Sequence, residues 1–190
     1  MAPPFSDNGV MKKAFFLFTA LVSFAAFCAA AEPLPKGYGG VELGMSLDSA
    51  KQALKSKSDF GYAGDRDVSL LPGDARVLIE TDSRNMQKHG FLTQCWFQFY
   101  QENLYSIILN LNPERVDHYS VYTALVKKYG EPNDFSPERS VWKNDSVTMS
   151  LERPLTLKYT DNKTMDDLSQ KSLVQKNGWE VTRQMFLEEL

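Results

Sequence analysis

The sequence predicts an α+β fold: a twisted antiparallel sheet of about seven strands, built from two halves that each consist of a helix followed by a strand meander. Two observations carry this prediction. Alternating apolar segments at 91–100 and 104–111 are separated by a short polar stretch, as in a pair of long neighbouring strands. Segments with helical periodicity at 46–54 and 113–129 are each followed by short alternating segments. We expect the helices to lie mainly on one face of the sheet, with further helices at the C-terminal end.

Composition argues against a disordered chain and against a nucleic-acid binder. A length of 190 residues suits one domain, and a hydrophobic content of 43% with 12% aromatic residues is enough for a packed core. The formal net charge is -3, and the sequence has no run of lysines and arginines. A nucleic-acid binder needs a basic surface to contact phosphates, so we predict no nucleic-acid partner.

The first 31 residues have the pattern of a secretory signal peptide. Two lysines at 12–13 are followed by an uncharged apolar run over 14–27 and by small residues up to position 31. Met11 immediately precedes the lysines, which predicts that translation starts there and that residues 1–10 are not part of the precursor.

Cleavage after Ala30 or Ala31 would leave a periplasmic chain with no transmembrane segment and with Cys95 as its single thiol. Two alternatives stay open. Cys28 could carry a lipid and anchor the protein to the cell envelope, or the run 14–31 could stay uncleaved as a membrane anchor. In each case the protein is predicted to be exported.

The mature chain divides into four predicted regions. A Pro- and Gly-rich stretch forms an extended lead-in over 32–40. One domain follows over 41–161, with α+β halves at 41–112 and 113–161, and a helical tail over 162–190 ends the chain. The first helix begins at Ser46, whose hydroxyl can accept a hydrogen bond from a free amide of the first turn, and it ends near Leu54. Two short strands over 68–81 precede the central hairpin.

The central hairpin is the predicted centre of the sheet. Strand alternation places its most apolar residues on one face, namely Phe91, Thr93, Cys95, Phe97 and Phe99, with Tyr105, Ile107, Leu109 and Leu111 on the second strand. In the connection between the strands, Asn103 is expected to take the left-handed turn position.

The opposite face of this hairpin carries a mixed aromatic and amide pattern that is the candidate site of contact. Large apolar residues alternate there with glutamine, serine and asparagine; they are Trp96, Tyr100, Leu104 and Ile108. Helices could cover these residues as a second core layer. Alternatively, they could form a surface that contacts a partner protein or a glycan.

In the second half, Asn112 is the predicted helix cap and Pro113 the first helical residue, with Gly130 ending the helix. Its apolar stripe has three- and four-residue steps: Val116, Tyr119, Tyr122, Leu125, Val126 and Tyr129. About three strands follow, over 141–159.

The tail is helical by pattern, and Gly178 is expected to divide it into two helices. The last helix has an apolar stripe that either packs on the domain core or docks on a partner: Val181, Met185, Phe186 and Leu190.

Two short motifs carry a resemblance to a known family. Leu43-Gly44-Met45-Ser46 opens the first helix, and Lys128-Tyr129-Gly130-Glu131-Pro132 closes the second. With the two helix-plus-meander halves, the chain resembles exported tandem modules of the beta-lactamase-inhibitor-protein type and the related outer-membrane assembly lipoproteins of the SmpA/OmlA type. The resemblance implies a binding or scaffolding role in the cell envelope. In those lipoproteins a lipidated cysteine begins the mature chain.

The sequence contains no recognisable catalytic, metal-binding or phosphate-binding motif. Neither His89 nor His118 has a partner at the spacing of a metal site, and both are expected to be solvated. The Gly-rich stretch 37–40 lacks the following lysine of a phosphate-binding loop. No sequence around a serine marks a nucleophile. We therefore predict no enzyme activity, no cofactor and no metal.

The function predicted from these observations is that of a non-catalytic, exported interaction or scaffolding module of the bacterial periplasm or cell envelope, which binds another envelope protein. A small-ligand or glycan binder that uses the sheet face is the alternative, and a hydrolase is a third possibility.

Overall fold

A computed structural model of the protein describes residues 32–71, 76–84 and 90–188. The predicted signal peptide over 1–31, with Met11 and Cys28, lies outside the described residues, as do His89 and Leu190. Within the described ranges, no helix is both long enough and apolar enough to cross a membrane.

Ten strands and three α-helices make up the described chain. In chain order they are β1 (Gly37–Tyr38), β2 (Val41–Glu42), α1 (Leu47–Ser56), β3 (Val68–Leu70), β4 (Arg76–Asp82), β5 (Leu92–Tyr100), β6 (Asn103–Leu111), α2 (His118–Tyr129), β7 (Asp134–Phe135), β8 (Arg139–Lys143), β9 (Val147–Glu152), β10 (Thr156–Asp161) and α3 (Asn162–Glu188). Two short 3-10 turns, Ser58–Phe60 and Asp65–Asp67, lie between α1 and β3.

The predicted α+β fold and its antiparallel sheet are confirmed. Eight of the described strands form one antiparallel sheet in the order β3-β4-β5-β6-β10-β9-β8-β7. Each half is one helix followed by four strands, and the halves join where β6 pairs with β10. Within the predicted lead-in 32–40, β1 pairs with β2 through a turn at Gly39 and Gly40, whose φ angles of 64° and 86° suit glycine.

The first helix forms as the sequence predicts. The hydroxyl of Ser46 accepts a hydrogen bond from the amide of Ser49 at 3.3 Å, which satisfies one of the free amides of the first turn. Ala50 and Leu54 are one turn apart and are both buried against the sheet. The side-chain cap and the apolar face therefore fix the same helix.

The second helix begins later than predicted. Asn112 does not cap it, because its side-chain oxygen accepts a hydrogen bond from the amide of Glu114 at 3.0 Å in a turn that precedes the helix. Asp117 is the cap instead, and it accepts from the amide of Ser120 at 2.9 Å. The predicted end is correct: α2 ends at Gly130, whose φ is 82°.

Two β-bulges change which hairpin residues face the core. The pairing of β5 with β6 shifts register at Thr93 and again at Tyr105, so that each of these residues is an extra one in its strand. An extra residue reverses the alternation beyond it. Leu104 therefore joins the core at 1% exposure, and Phe91, which was predicted to face the core, is 61% exposed.

The hairpin turn also differs from the prediction. Gln101 and Glu102 take the left-handed conformation, with φ angles of 48° and 65°. Asn103 already belongs to β6, where it pairs with Tyr100, and its side-chain amide donates to the carbonyl of Gln101 at 2.9 Å. Left-handed backbone is unfavourable for residues with a Cβ, so the flanking strands hold this turn in place.

Helices α1 and α2 cover the same face of the sheet, and the core lies between them and that face. Phe60, just after α1, meets Phe97 of β5 edge-on with ring centroids 5.6 Å apart. At the other end of the sheet, Tyr122 of α2 lies 6.2 Å from the ring of Trp142. The indole nitrogen of Trp142 donates to the carbonyl of Gly130 at 2.8 Å and so ties the end of α2 to β8.

The tail is one continuous helix, not two. Asp161 caps α3 by accepting from the amide of Thr164 at 2.8 Å. The helix then continues through Gly178, because a glycine lowers helix stability by only about 1 kcal/mol relative to alanine. Lys171 donates to the hydroxyl of Tyr100 at 2.5 Å, which places this part of α3 over the face of the sheet opposite α1 and α2.

The bulges at Thr93 and Tyr105 lead to a first prediction. Leu104→Ala should lower the free energy of unfolding by about 2–5 kcal/mol, because it empties a fully enclosed site. Phe91→Ala removes a larger but exposed side chain and should change it by less than about 1 kcal/mol. Urea titrations of both variants measure this, and comparable losses in the two would contradict the observed register.

Candidate functional site

The predicted contact face of the hairpin is not one surface in the structure. Trp96 and Ile108 are direct neighbours across β5 and β6, and both are half-buried. Tyr100 lies on the same face but is 9% exposed beside α3. Leu104 lies on the other face, in the core, because of the bulge. Three of the four residues therefore share the face opposite the core, and Leu104 does not.

A cleft of about 510 Å³ lies at the far end of the sheet, between the first turn of α2 and the segment that carries β7 and the start of β8. The residues that line it come from three parts of the second half: Asp117, His118, Tyr119, Tyr122, Phe135, Ser136, Pro137, Arg139, Ser140 and Arg153. Its volume is in the range of clefts that hold a small organic molecule.

The aromatic wall of the cleft follows from helix geometry. Tyr119 and Tyr122 are three residues apart on α2 and so lie on adjoining parts of one side. The ring of Tyr122 is 6.1 Å from that of Phe135 and also contacts Trp142 below. Tyr119 and Phe135 are 75% and 67% exposed. The sequence pattern assigns Tyr119 to the core stripe of α2, whereas the structure places it at the mouth of the cleft.

The polar side of the cleft has more positive than negative groups. Arg153, in the turn between β9 and β10, donates from its Nε to the carbonyl of Pro137 at 2.9 Å. Asp117 is the acid that lines the cleft, and its two carboxylate oxygens accept from the amide and the hydroxyl of Ser120. At the margin, Arg139 lies 4.0 Å from Asp134 in an exposed ion pair.

His118 is not the solvated residue that its place in the sequence predicts. Burial lowers the pKa of its imidazole, and the nearby guanidinium of Arg153 lowers it further, whereas Asp117 raises it. Within the described part of the chain, its Nε2 is buried and has no hydrogen-bond partner. Buried polar atoms are normally paired, and among the described side chains this nitrogen is one of four exceptions, with the hydroxyls of Tyr62, Thr81 and Ser106.

Other potential sites for chemistry have ordinary structural roles. Among the described residues, no group of three or more His, Cys, Asp or Glu side chains is placed to hold a metal ion. Burial raises the pKa of the Cys95 thiol to about 12, so this thiol is not ionised at neutral pH and is a poor nucleophile. Its neighbours Phe97 and Leu109 belong to the same core.

A second feature is the exposed C-terminal part of α3. Six large apolar side chains of this part are between 48% and 69% exposed: Leu173, Trp179, Val181, Met185, Phe186 and Leu187. They do not belong to the hydrophobic core of the domain. The sequence pattern identifies Val181, Met185 and Phe186 as apolar helix positions but does not establish whether the domain covers them.

The family model described as the TP0088 domain matches residues 36–171. This range begins next to β1, includes the whole sheet and every residue of the cleft, and ends within α3. No curated protein and no solved structure matches the chain.

His118 gives a prediction for the pH dependence of stability. Its folded-state pKa lies below that of the unfolded chain, so the unfolded state binds the proton more readily. The stability that neutral His118 provides is present at pH 7 and is lost as the pH falls below about 6.5. The free energy of unfolding should fall less between pH 7.5 and pH 5.5 in His118→Gln than in the unmodified protein.

Denaturant unfolding at the two pH values measures this difference. His89 is present in both proteins, so its own titration cancels in the comparison. Equal losses in the two proteins would show that the imidazole is as accessible to protons in the folded state as in the unfolded one.

Proposed function

This chain belongs to the TP0088 domain family, and we propose that it is a non-catalytic interaction module of the bacterial periplasm or cell envelope that binds another protein. The observation that carries the proposal is the exposed apolar surface on the C-terminal part of α3. The signal-peptide pattern of residues 1–31 supports export. The resemblance to envelope binding modules and the helix-plus-four-strand plan of each half support a scaffolding role.

The apolar residues of α3 occupy more than one side of the helix. Val181 and Met185 are four residues apart and form one side, whereas Trp179 and Phe186, seven residues apart, form another. A helix that is apolar on several sides is normally enclosed by other protein. Exposure of this kind is therefore expected of a segment that a partner surrounds.

The chemistry of the partner follows from the charges along the same segment. Lys176 and Arg183 are balanced by Glu180 and Glu188, and Arg183 lies 3.9 Å from Glu180. Such a nearly neutral helix gains little from a charged surface. The partner would instead present an apolar groove into which the helix inserts, as in helix-in-groove recognition.

The proposal is tested with the double variant Met185→Ala and Phe186→Ala and with the control Gln184→Ala in the same turn. A photo-crosslinking amino acid at position 179 is introduced into each protein and activated in living cells. The crosslinked adduct with a second protein should be lost in the double variant and retained in the control. Because the substituted side chains are exposed, the melting temperature of the double variant should match that of the unmodified protein.

Two results would contradict this function. A clear fall in melting temperature together with loss of the adduct would mean that α3 packs on its own domain. An adduct of twice the mass of the chain would identify self-association instead of a partner.

A further inference from the structure

We propose that the cleft under the first turn of α2 binds a carboxylate that is attached to an aromatic ring. Shape, aromatic surface and charge support this assignment, and each is independent of α3. The proposal therefore goes beyond the interaction with a protein partner and does not depend on it.

The aromatic surface determines the body of the ligand. Tyr119 and Phe135 are mostly exposed, whereas the ring of Tyr122 between them and the sheet is half-buried. A flat apolar ring that enters the cleft would contact these faces and edges at the distances that aromatic pairs prefer. A wholly polar ligand, such as a simple sugar acid, would leave this surface exposed to water.

The charge distribution determines the polar group of the ligand. The whole chain carries a formal charge of -3, yet the cleft is lined by two arginines and one aspartate. The carboxylate of Asp117 accepts from Ser120, and Arg139 lies 4.0 Å from Asp134 in an exposed ion pair. Arg153 is held by its Nε on the carbonyl of Pro137, so the terminal nitrogens of its guanidinium are the donors that we assign to a ligand. A planar guanidinium pairs with a carboxylate through two parallel hydrogen bonds.

His118 lines the cleft together with Arg153 and adds a polar side chain to its wall. Its Nε2 is the buried nitrogen without a partner in the described chain, and the residue lines the same cleft. The charged contact to the carboxylate is therefore assigned to Arg153, with the attached ring on the aromatic surface of Tyr119 and Phe135.

The same chemistry occurs in two sources: a free aromatic acid, and the C-terminal residue of a polypeptide that ends in Phe, Tyr or Trp. The probes are N-acetylphenylalanine, a five-residue peptide that ends in phenylalanine, and the C-terminal amide of each. Affinity for the purified protein is measured by calorimetry, and the location of binding by shifts of backbone amide signals in nuclear magnetic resonance spectra.

We expect at least one of the two acids to bind about tenfold or more tightly than its amide, because the amide lacks the charge that Arg153 pairs with. Shifted signals should be confined to the residues around the cleft. Tighter binding of the peptide acid would identify a polypeptide C-terminus as the source, and equal binding of both acids would identify recognition of the terminal residue alone.

The matched variants are Arg153→Gln and Lys143→Gln. Each removes one exposed positive charge, but Lys143 belongs to β8 and lines a different cavity on the opposite face. Arg153→Gln should weaken binding of the acid about tenfold or more and Lys143→Gln by less than about twofold. Phe135→Ser should also weaken binding while the melting temperature stays the same.

Several results would overturn the proposal. These are binding of neither acid at millimolar concentration, equal affinity for acids and amides, equal effects of the two charge variants, or shifted signals away from the cleft. The comparison of acid with amide uses only the unmodified protein, so it decides the matter even if a variant were to fold poorly.

Discussion

The backbone pairing of β6 with β10 is the interaction on which the rest of the structure depends. It joins the last strand of the first half to the last strand of the second, from Thr156 opposite Asn110 to Thr160 opposite Ser106. Paired residues share a face, so this register places the apolar residues of both strands side by side under α1 and α2. One core then serves both halves, and a single larger core buries a greater fraction of the surface of the chain than two smaller ones would.

This arrangement also determines where the exposed features lie. Because the halves join at their last strands, the first strand of each half becomes an edge of the sheet, and β7 at one edge has only two residues. The cleft lies beside this edge, between the first turn of α2 and Phe135 of β7. The face opposite α1 and α2 is covered by the first part of α3, through Lys171 and Tyr100, and the rest of that helix remains exposed.

The sequence predicts the parts of the fold that local physical chemistry decides. The cap at Ser46, the end of α2 at Gly130 and the strand pattern of the core were predictable because each depends on a few neighbouring residues. The place of Leu104 in the core was not predictable, since a bulge depends on the register of the partner strand. Tyr119 could not be placed at a cleft either, because helical spacing identifies a side of α2 but not where the sheet beneath it ends.

The two proposed contacts use different parts of the molecule. The cleft lies on the side of the sheet that α2 covers, inside the range that matches the TP0088 domain, whereas the exposed apolar residues of α3 follow position 171. Coupling between two sites requires a ligand at one of them to bind two arrangements of the protein with different affinity. The strands that follow α2, from β8 to β10, are joined by continuous antiparallel pairing. A sheet of this kind offers a single arrangement, so occupation of the cleft and docking of α3 should be independent of each other.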